Sequence, residues 1–288
     1  MPFKSTNDHP LMNIRIKKAS GITEDFNPDK LLESLLRSGA DRDQAEEVIS
    51  HILPDIQPYT STKKIFRLAR KYLRQFNRST VLRYSLKKSL LKLGPSGYPF
   101  EKYVGELFKH YGYSVNTGVF LEGKCVKHEV DVLAFNDNEM RLVECKYRNR
   151  AENAPDVKVA LYFHSRFRDL RAAMKTQHHG KSFSGWIVTN TRFTEDAIKY
   201  AVCSGLKLVS WRYPGKGSLE QMIEEKKLYP VTVIPGLTSS QTRHLFEEKV
   251  ILMKDLAKMP PADIKKLLSV SDKRALALKE QADKLCFC

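Results

Sequence analysis

Asp131, Glu144 and Lys146 form the most informative pattern in this 288-residue chain. Twelve residues separate the two carboxylates, and the lysine follows Glu144 by two positions. Carboxylate oxygens are the ligands that a hard cation such as Mg²⁺ prefers. An ammonium group nearby can favour a hydroxide nucleophile or neutralise charge that develops on phosphorus. The pattern therefore indicates metal-dependent hydrolysis, with Asp131 and Glu144 as ligands and Lys146 beside the attacking water.

Two strands joined by a short polar turn are expected to position these side chains. Residues 128–135 and 141–146 both alternate in the two-residue rhythm of strands. Because residues two apart on a strand share a face, Glu144 and Lys146 would lie together while Cys145 points the other way. The backbone carbonyl of Cys145 would then be a further metal ligand. The simpler alternative is a surface hairpin with a solvated Glu/Lys pair.

The flanking segments predict an α/β domain around this hairpin. A helix with Pro99 in its first turn carries Glu106 at the edge of its apolar stripe. Downstream of the lysine a further helix is expected. After it, strands at 186–190 and 206–211 enclose a helix that Thr194 would cap. The apolar stripe of the first helix consists of Phe100, Tyr103, Val104, Leu107, Phe108 and Tyr111.

Residues 99–215 resemble the Mrr-like restriction endonucleases, a branch of the PD-(D/E)xK nuclease superfamily. The family begins with a helix of pattern F-E-x(4)-E, whose second glutamate, here Glu106, reaches the metal site. The resemblance implies a central mixed sheet flanked by helices, DNA as the substrate, and Mg²⁺ or Mn²⁺ as the cofactor. It also implies that Glu106 is a metal ligand. Glu129 departs from the simplest family pattern, and is either an extra ligand or a charged residue at the rim.

The charge of the chain points to a polyanionic partner. The net charge is +16, which favours nucleic acid first and nucleotide second. No apolar run resembles a signal peptide or reaches membrane-spanning length, so no membrane partner is expected. Five cysteines without CxxC pairing favour reduced thiols and a cytoplasmic location. The oligomeric state stays open, with a homodimer as one alternative.

Residues 1–95 are predicted to form a separate, mainly helical domain. A basic strand at 13–18 is followed by Asn27 and Pro28, which suit the cap and first turn of a helix. Three more helices follow, and the fourth is expected to run from a cap at Ser79 to a stop at Gly94.

The start of this domain resembles the ATP-cone of ribonucleotide reductases and their repressor. The basic strand and the pattern G-x(4)-F-x(3)-K carry the resemblance, which implies a regulatory site for ATP or dATP. The alternative is a helical DNA-binding module, because residues 56–100 contain no acidic residue. The matching positions are Lys17, Lys18, Gly21, Phe26 and Lys30.

Residues 233–288 are predicted to be a helical region. Gly236-Leu237-Thr238 and a later L-L-x-V-S pattern resemble paired helix-hairpin-helix modules, which hold DNA through backbone N–H groups. Ser269 stands where the second hairpin normally carries glycine, so a structural cap on the core is an equal alternative to a DNA clamp.

The sequence therefore predicts an α/β protein of three parts, at residues 1–95, 96–232 and 233–288. The predicted function is that of a metal-dependent DNA endonuclease regulated by ATP or dATP. The rival interpretation is an ATP-responsive DNA-binding regulator with a silent nuclease fold.

Overall fold

A computed structural model of the chain describes residues 14–76, 78–94, 96–178 and 180–287. It divides into two compact units, Met1–Ser85 and Leu86–Cys288. Asn13, the predicted start of the first strand, lies outside the described residues. Among the described residues, no helix is both long and apolar enough to cross a membrane.

The N-terminal unit is mainly helical and begins with an antiparallel hairpin of two short strands. The side chain of Asn27 accepts a hydrogen bond from the Lys30 backbone at 3.1 Å, and Pro28 occupies the first turn of the following helix, so the predicted helix start is confirmed. The elements are β1 (Arg15–Lys17), β2 (Thr23–Asp25), α1 (Pro28–Arg37), α2 (Arg42–Ile52), a 3₁₀ turn (Leu53–Asp55), α3 (Thr62–Phe76) and α4 (Arg78–Tyr84).

The predicted fourth helix is two helices in the structure. α4 begins at Arg78, one residue before the expected cap Ser79, and ends at Tyr84. A separate helix α5 (Leu86–Leu90) follows. Between them the hydroxyl of Ser85 bonds back to the carbonyl of Val81 at 2.8 Å. Such back-bonding often bends a helix.

The segment 86–94 packs with the C-terminal unit, although its sequence assigned it to the N-terminal domain. The hydroxyl of Thr232 donates to the Ser89 carbonyl at 2.9 Å, and that of Tyr147 donates to the Leu91 carbonyl at 2.7 Å. An apolar stripe runs through both α4 and α5. The hydrophobic pattern of the sequence therefore does not reveal that α4 belongs to the N-terminal unit and α5 to the C-terminal unit.

The C-terminal unit contains the predicted mixed α/β layer. Five strands lie in the order β3-β4-β5-β6-β7, with antiparallel pairing as far as β5 and parallel pairing beyond it. Helices flank the sheet, as the sequence predicted. The elements are α6 (Tyr98–His110), β3 (Ser114–Glu122), β4 (Lys127–Phe135), β5 (Glu139–Lys146), α7 (Val157–Gln177), β6 (Ser182–Thr189), α8 (Glu195–Ser204), β7 (Lys207–Val209) and α9 (Leu219–Lys226).

Helix α7 lies close to the sheet because of a glycine in β6. A Cβ atom at Gly185 would come within 2.9 Å of both the Phe167 ring and the Leu206 side chain. Real Cβ contacts are essentially never that short, so the missing side chain lets Phe167 approach the strand. This contact also fixes the position of the preceding residue, Arg166.

The C-terminal region is helical, as predicted. A buried 3₁₀ turn at Val231–Val233 precedes its helices. Ser269 adopts the left-handed conformation with φ of 51°, which glycine usually supplies at a hairpin. The helices are α10 (Ser239–Glu247), α11 (Met253–Lys258), α12 (Pro261–Leu268) and α13 (Asp272–Phe287).

Candidate active site

The β4–β5 hairpin brings the predicted catalytic residues together. Val132 pairs with Val143 in antiparallel register, so Asp131 and Glu144 are opposite each other. A carboxylate oxygen of Asp131 accepts a hydrogen bond from the Cys145 backbone N–H at 2.7 Å. Lys146 Nζ lies 2.5 Å from Glu144 Oε1. The hairpin prediction is confirmed, and the simpler picture of a solvated Glu/Lys pair does not fit, because the Glu144 side chain is only 4% exposed.

Two cations hold the buried carboxylate of Glu144. Lys146 contacts one oxygen, and Arg166 Nη1 lies 2.8 Å from the other. Arg166 also donates to the backbone carbonyl of Glu129, whose side chain is exposed at the rim. A buried ion needs such compensation because leaving water is costly. Glu144 must therefore exchange at least one of its two cations before it can hold a metal ion.

A third carboxylate, which the sequence interpretation missed, belongs to this cluster. Burial, followed by the charges of Asp131, Glu129 and Glu144, raises the pKa of Glu101 to about 7. Burial and then the charge of Glu144 raise the pKa of Asp131 to about 6. Carboxylates that raise one another's pKa in a cleft are typical of functional sites, because a cation can relieve their repulsion.

Glu106, predicted to reach the metal site, lies elsewhere. Its carboxylate pairs with Lys109 Nζ at 2.6 Å. Five helical positions separate Glu101 from Glu106, which places them about 140° apart around α6. Glu101 lies about 90° from the middle of the apolar stripe and Glu106 about 130° from it, by the same geometry. The apolar stripe packs on the sheet. Glu101, which is closer to the stripe than Glu106, therefore faces the cluster. The helical angle was therefore the signal that could have identified Glu101.

The carboxylate oxygens of the cluster suit a hard cation, although they are not arranged as a complete coordination site. Carboxylates such as those of Asp131 and Glu144 favour Mg²⁺ or Mn²⁺ over softer metals. In the described part of the chain, no three His, Cys, Asp or Glu side chains converge closely enough to hold a metal ion. The thiol of Cys145 is buried and its pKa is raised well above the ordinary value by that burial, so it is not a thiolate ligand. A role for the Cys145 carbonyl stays a prediction.

In the N-terminal unit, two of the predicted nucleotide-binding lysines meet at one carboxylate. Lys18 Nζ lies 2.7 Å from Glu24 and Lys30 Nζ lies 3.7 Å from it. The hydrogen bond from Lys18 is the main cause of a lowered pKa at Glu24, which burial only partly opposes. The two lysines therefore converge beside the N-terminal turn of α1, where a helix favours anions, but an acidic group already stands between them.

The other three predicted residues have structural contacts. The backbone N–H of Lys17 donates to the Thr60 carbonyl at 3.1 Å. Gly21 has φ of 87°, which the turn between the strands requires. The Phe26 side chain is buried in the core of the unit. Among these three, the structure therefore leaves the exposed Lys17 side chain as a candidate ligand contact.

Two family profiles match the C-terminal unit. The profile described as "Restriction endonuclease" matches residues 94–212 and so includes Asp131, Glu144 and Lys146. The profile described as "AF1548-like, C-terminal" matches residues 229–286. An uncharacterised protein of Archaeoglobus fulgidus is 39% identical over 131 residues, which cover 46% of this chain and 71% of that protein.

A solved structure matches about two thirds of this chain. The crystal structure of the protein of unknown function AF1548 aligns with 66% of this chain and 98% of its own, at 31% identity and with a TM-score of 0.55. This chain belongs to the AF1548-like family. A structure of Can2 from Sulfobacillus thermosulfidooxidans in complex with cyclic tetra-adenylate shares 18% identity over 39% of this chain and 31% of its own, and its TM-score of 0.29 is too low to indicate a shared fold.

These matches confirm part of the predicted resemblance. The AF1548-like chain carries a restriction endonuclease domain of the Mrr type, which indicates a nuclease and therefore a nucleic-acid substrate. Its C-terminal helices correspond to the AF1548-like C-terminal region. Neither family profile reaches residues before position 94, so neither supports the ATP-cone resemblance.

Proposed function

We propose that this AF1548-like protein is a metal-dependent DNA endonuclease. The observation that carries the proposal is the pairing of Lys146 with the buried Glu144, directly across the hairpin from Asp131. The residue types match those that phosphodiester hydrolysis requires, and they lie inside the restriction endonuclease match. The net charge of +16 suits a nucleic-acid substrate, and the restriction endonuclease match favours DNA as that substrate.

Each residue of the cluster has a role in this mechanism. Mg²⁺ or Mn²⁺, when bound, polarises the phosphate and acidifies a water molecule, and Asp131 and Glu144 would hold it. Lys146, released from Glu144, stabilises the developing negative charge. Arg166, released in the same exchange, presents a planar donor pair that suits a phosphate. Glu101, with its pKa of about 7, can accept a proton from the attacking water near neutral pH.

Cleavage of supercoiled plasmid in Mg²⁺ tests this proposal. Asp131→Ala and Lys146→Ala should each lower the rate by at least about 10²-fold, the scale of one electrostatic or acid–base contribution. Glu101→Gln and Glu106→Gln form a matched pair, because both remove one carboxylate from α6. We expect only Glu101→Gln to slow cleavage. Full cleavage by Asp131→Ala would rule the proposed centre out.

A second function, a DNA-binding regulator with a silent nuclease fold, is favoured by one observation. Both carboxylate oxygens of Glu144 are paired with cations, so neither oxygen is free to bind a metal ion. Calorimetric titration with Mn²⁺ distinguishes the two functions. A silent fold would bind DNA but give no heat with the metal, whereas an enzyme would bind Mn²⁺ and lose that binding in Asp131→Asn.

We further infer that the N-terminal unit binds ATP or dATP as a regulator. The supports are the convergence of Lys18 and Lys30 and the start of α1 at Pro28, since helix N-termini favour phosphate. ATP should raise the melting temperature of the full chain, because a ligand of the folded state stabilises it. The double variant Lys18→Ala/Lys30→Ala should lose this shift, whereas Arg37→Ala at the other end of α1 should keep it. If wild type shows no shift, the basic DNA-binding alternative for this unit is preferred.

The remaining predictions belong to the same proposal. The α12–α13 hairpin at Ser269 would contact DNA through backbone N–H groups, as helix-hairpin-helix modules do. The location in the cytoplasm and a homodimer stay predictions.

A further inference from the structure

A basic groove of about 1300 Å³ lies between α6 and α10, within the C-terminal unit. It contains Glu106, which the sequence placed at the catalytic cluster, on the face of α6 that also presents Lys102 and Lys109. The opposite wall is formed by Arg243 on α10 and by Lys249 just beyond it. Small-molecule pockets typically measure about 300–1000 Å³, so this volume favours a polymeric ligand.

The groove carries an excess of positive charge. Five of its lining residues are Lys or Arg and two are Glu, which leaves three positive charges. Glu106 is paired with Lys109 at 2.6 Å, and Glu247 lies 3.8 Å from His244. Within the described ranges, no carboxylate forms an ion pair with the other four cations, namely Lys92, Lys102, Arg243 and Lys249. Lys102 also donates to the Thr117 hydroxyl, and its charge partly offsets the burial that raises the pKa of Glu101. The other three cations, which face one groove without a paired carboxylate, favour a chain of phosphates.

Aromatic side chains in the groove select between kinds of nucleic acid. Tyr98 is 58% exposed, with Lys102 Nζ 4.9 Å from the centre of its ring, and Phe246 lines the opposite wall. A duplex presents phosphates outward and keeps its base faces stacked. A single strand offers base faces as well, and cations interleaved with aromatic rings bind both parts of it.

We propose that this groove binds a single-stranded segment of the nucleic-acid substrate. Phosphates contact Arg243 and Lys249, and a base stacks on Tyr98. The inference rests on the proposed function, since it takes nucleic acid as the substrate, and it specifies which form of substrate the enzyme holds. On α6 the groove face of Lys102, Glu106 and Lys109 is centred about 105° around the helix from Glu101. The charge of Lys102 on that face partly offsets the burial that raises the pKa of Glu101. A strand in the groove therefore runs along the same helix that presents Glu101 to the cluster.

Fluorescence anisotropy of the full chain in EDTA tests the proposal, because binding is then measured without cleavage. The two probes are a labelled oligothymidine and a labelled blunt duplex hairpin. We expect tighter binding of the oligothymidine. Arg243→Glu/Lys249→Glu should flatten its log–log salt dependence by about 1.4, since each phosphate contact to a single strand contributes about 0.7. Tyr98→Ala should weaken binding about 5-fold or more, the loss of one stacked base.

The control is Lys175→Glu/Lys207→Glu, an equal charge reversal at exposed lysines of α7 and β7, which should leave the salt dependence unchanged. Tighter binding of the duplex, an unchanged salt dependence in the groove variant, or an equal change in the control would each overturn the proposal. Light scattering that shows a groove-variant dimer falling apart would also overturn it, because a second copy would then fill the groove.

Failure of this inference differs from failure of the proposed function. Binding of oligothymidine does not need Asp131, so Asp131→Asn should bind like wild type. If the protein binds the single strand in the groove but never cleaves DNA, the groove proposal stands and the proposed nuclease function fails. If it cleaves duplex DNA in Mg²⁺ without binding the single strand, only the groove proposal fails.

Discussion

Asp131→Asn is expected to stabilise the metal-free protein while abolishing its activity. In the absence of metal, Asp131 is buried beside Glu144. Burial, and then the negative charge of Glu144, raise the pKa of Asp131 from 3.8 to about 6. Asparagine keeps the oxygen that accepts the Cys145 backbone N–H and removes the charge. The variant therefore resembles the protonated form of the native residue, which is the form that the metal-free fold prefers.

The magnitude and sign follow from the change in pKa. A rise from 3.8 to about 6 sets a ceiling of about 3 kcal/mol, since one pH unit corresponds to about 1.4 kcal/mol. Partial solvent access reduces this to about 1–2 kcal/mol. The folded state holds the proton more tightly than the unfolded state, so the contribution of Asp131 to the free energy of unfolding falls as pH rises from about 4 to 6 and then stays constant.

Urea denaturation in EDTA at pH 4 and pH 8 measures the effect. The two proteins should be equally stable at pH 4, and the variant should be more stable by about 1–2 kcal/mol at pH 8. Adding Mn²⁺ should stabilise the wild type and leave the variant unchanged, because the metal binds only the folded state that keeps its ligand. A variant that is less stable than the wild type at pH 8, or equally stabilised by Mn²⁺, would refute the reasoning.

Three further predictions concern other parts of the chain. Arg166→Gln should raise the affinity for Mn²⁺ in calorimetry and lower the stability in EDTA, because Glu144 loses a competing cation; unchanged affinity would contradict this. Ser269→Gly should raise the free energy of unfolding by about 1 kcal/mol, since glycine adopts the left-handed conformation at lower cost, whereas Ser271→Gly at the next turn should not. Deleting residues 1–85 should flatten the salt dependence of duplex binding by several contacts at about 0.9 each if the acid-free basic segment meets DNA, and an identical slope would show that it does not.

The parts of the fold that depend on neighbouring residues could be predicted from the sequence. The cap at Thr194 accepts a hydrogen bond from Ala197, three residues away, and the β4–β5 hairpin is set by alternation and a short turn. The partner of Glu144 could not be predicted, because Arg166 lies 22 residues further along the chain. Glu101 could have been identified from the angle of each glutamate to the apolar stripe of α6, which a family motif with two glutamates does not take into account.

Gly185, on the strand next to the one that carries Glu144, affects the chemistry of the cluster. Its missing Cβ lets the Phe167 ring lie against β6, and Arg166, the preceding residue on that helix, then reaches Glu144. A larger residue would push the helix outward and withdraw the guanidinium from the carboxylate. In the proposed mechanism, the pairing of Arg166 with the metal ligand Glu144 thus depends on a residue that carries no functional group. In that mechanism, a substitution at this one strand position would alter how readily the centre accepts its metal without changing any residue proposed to perform the reaction.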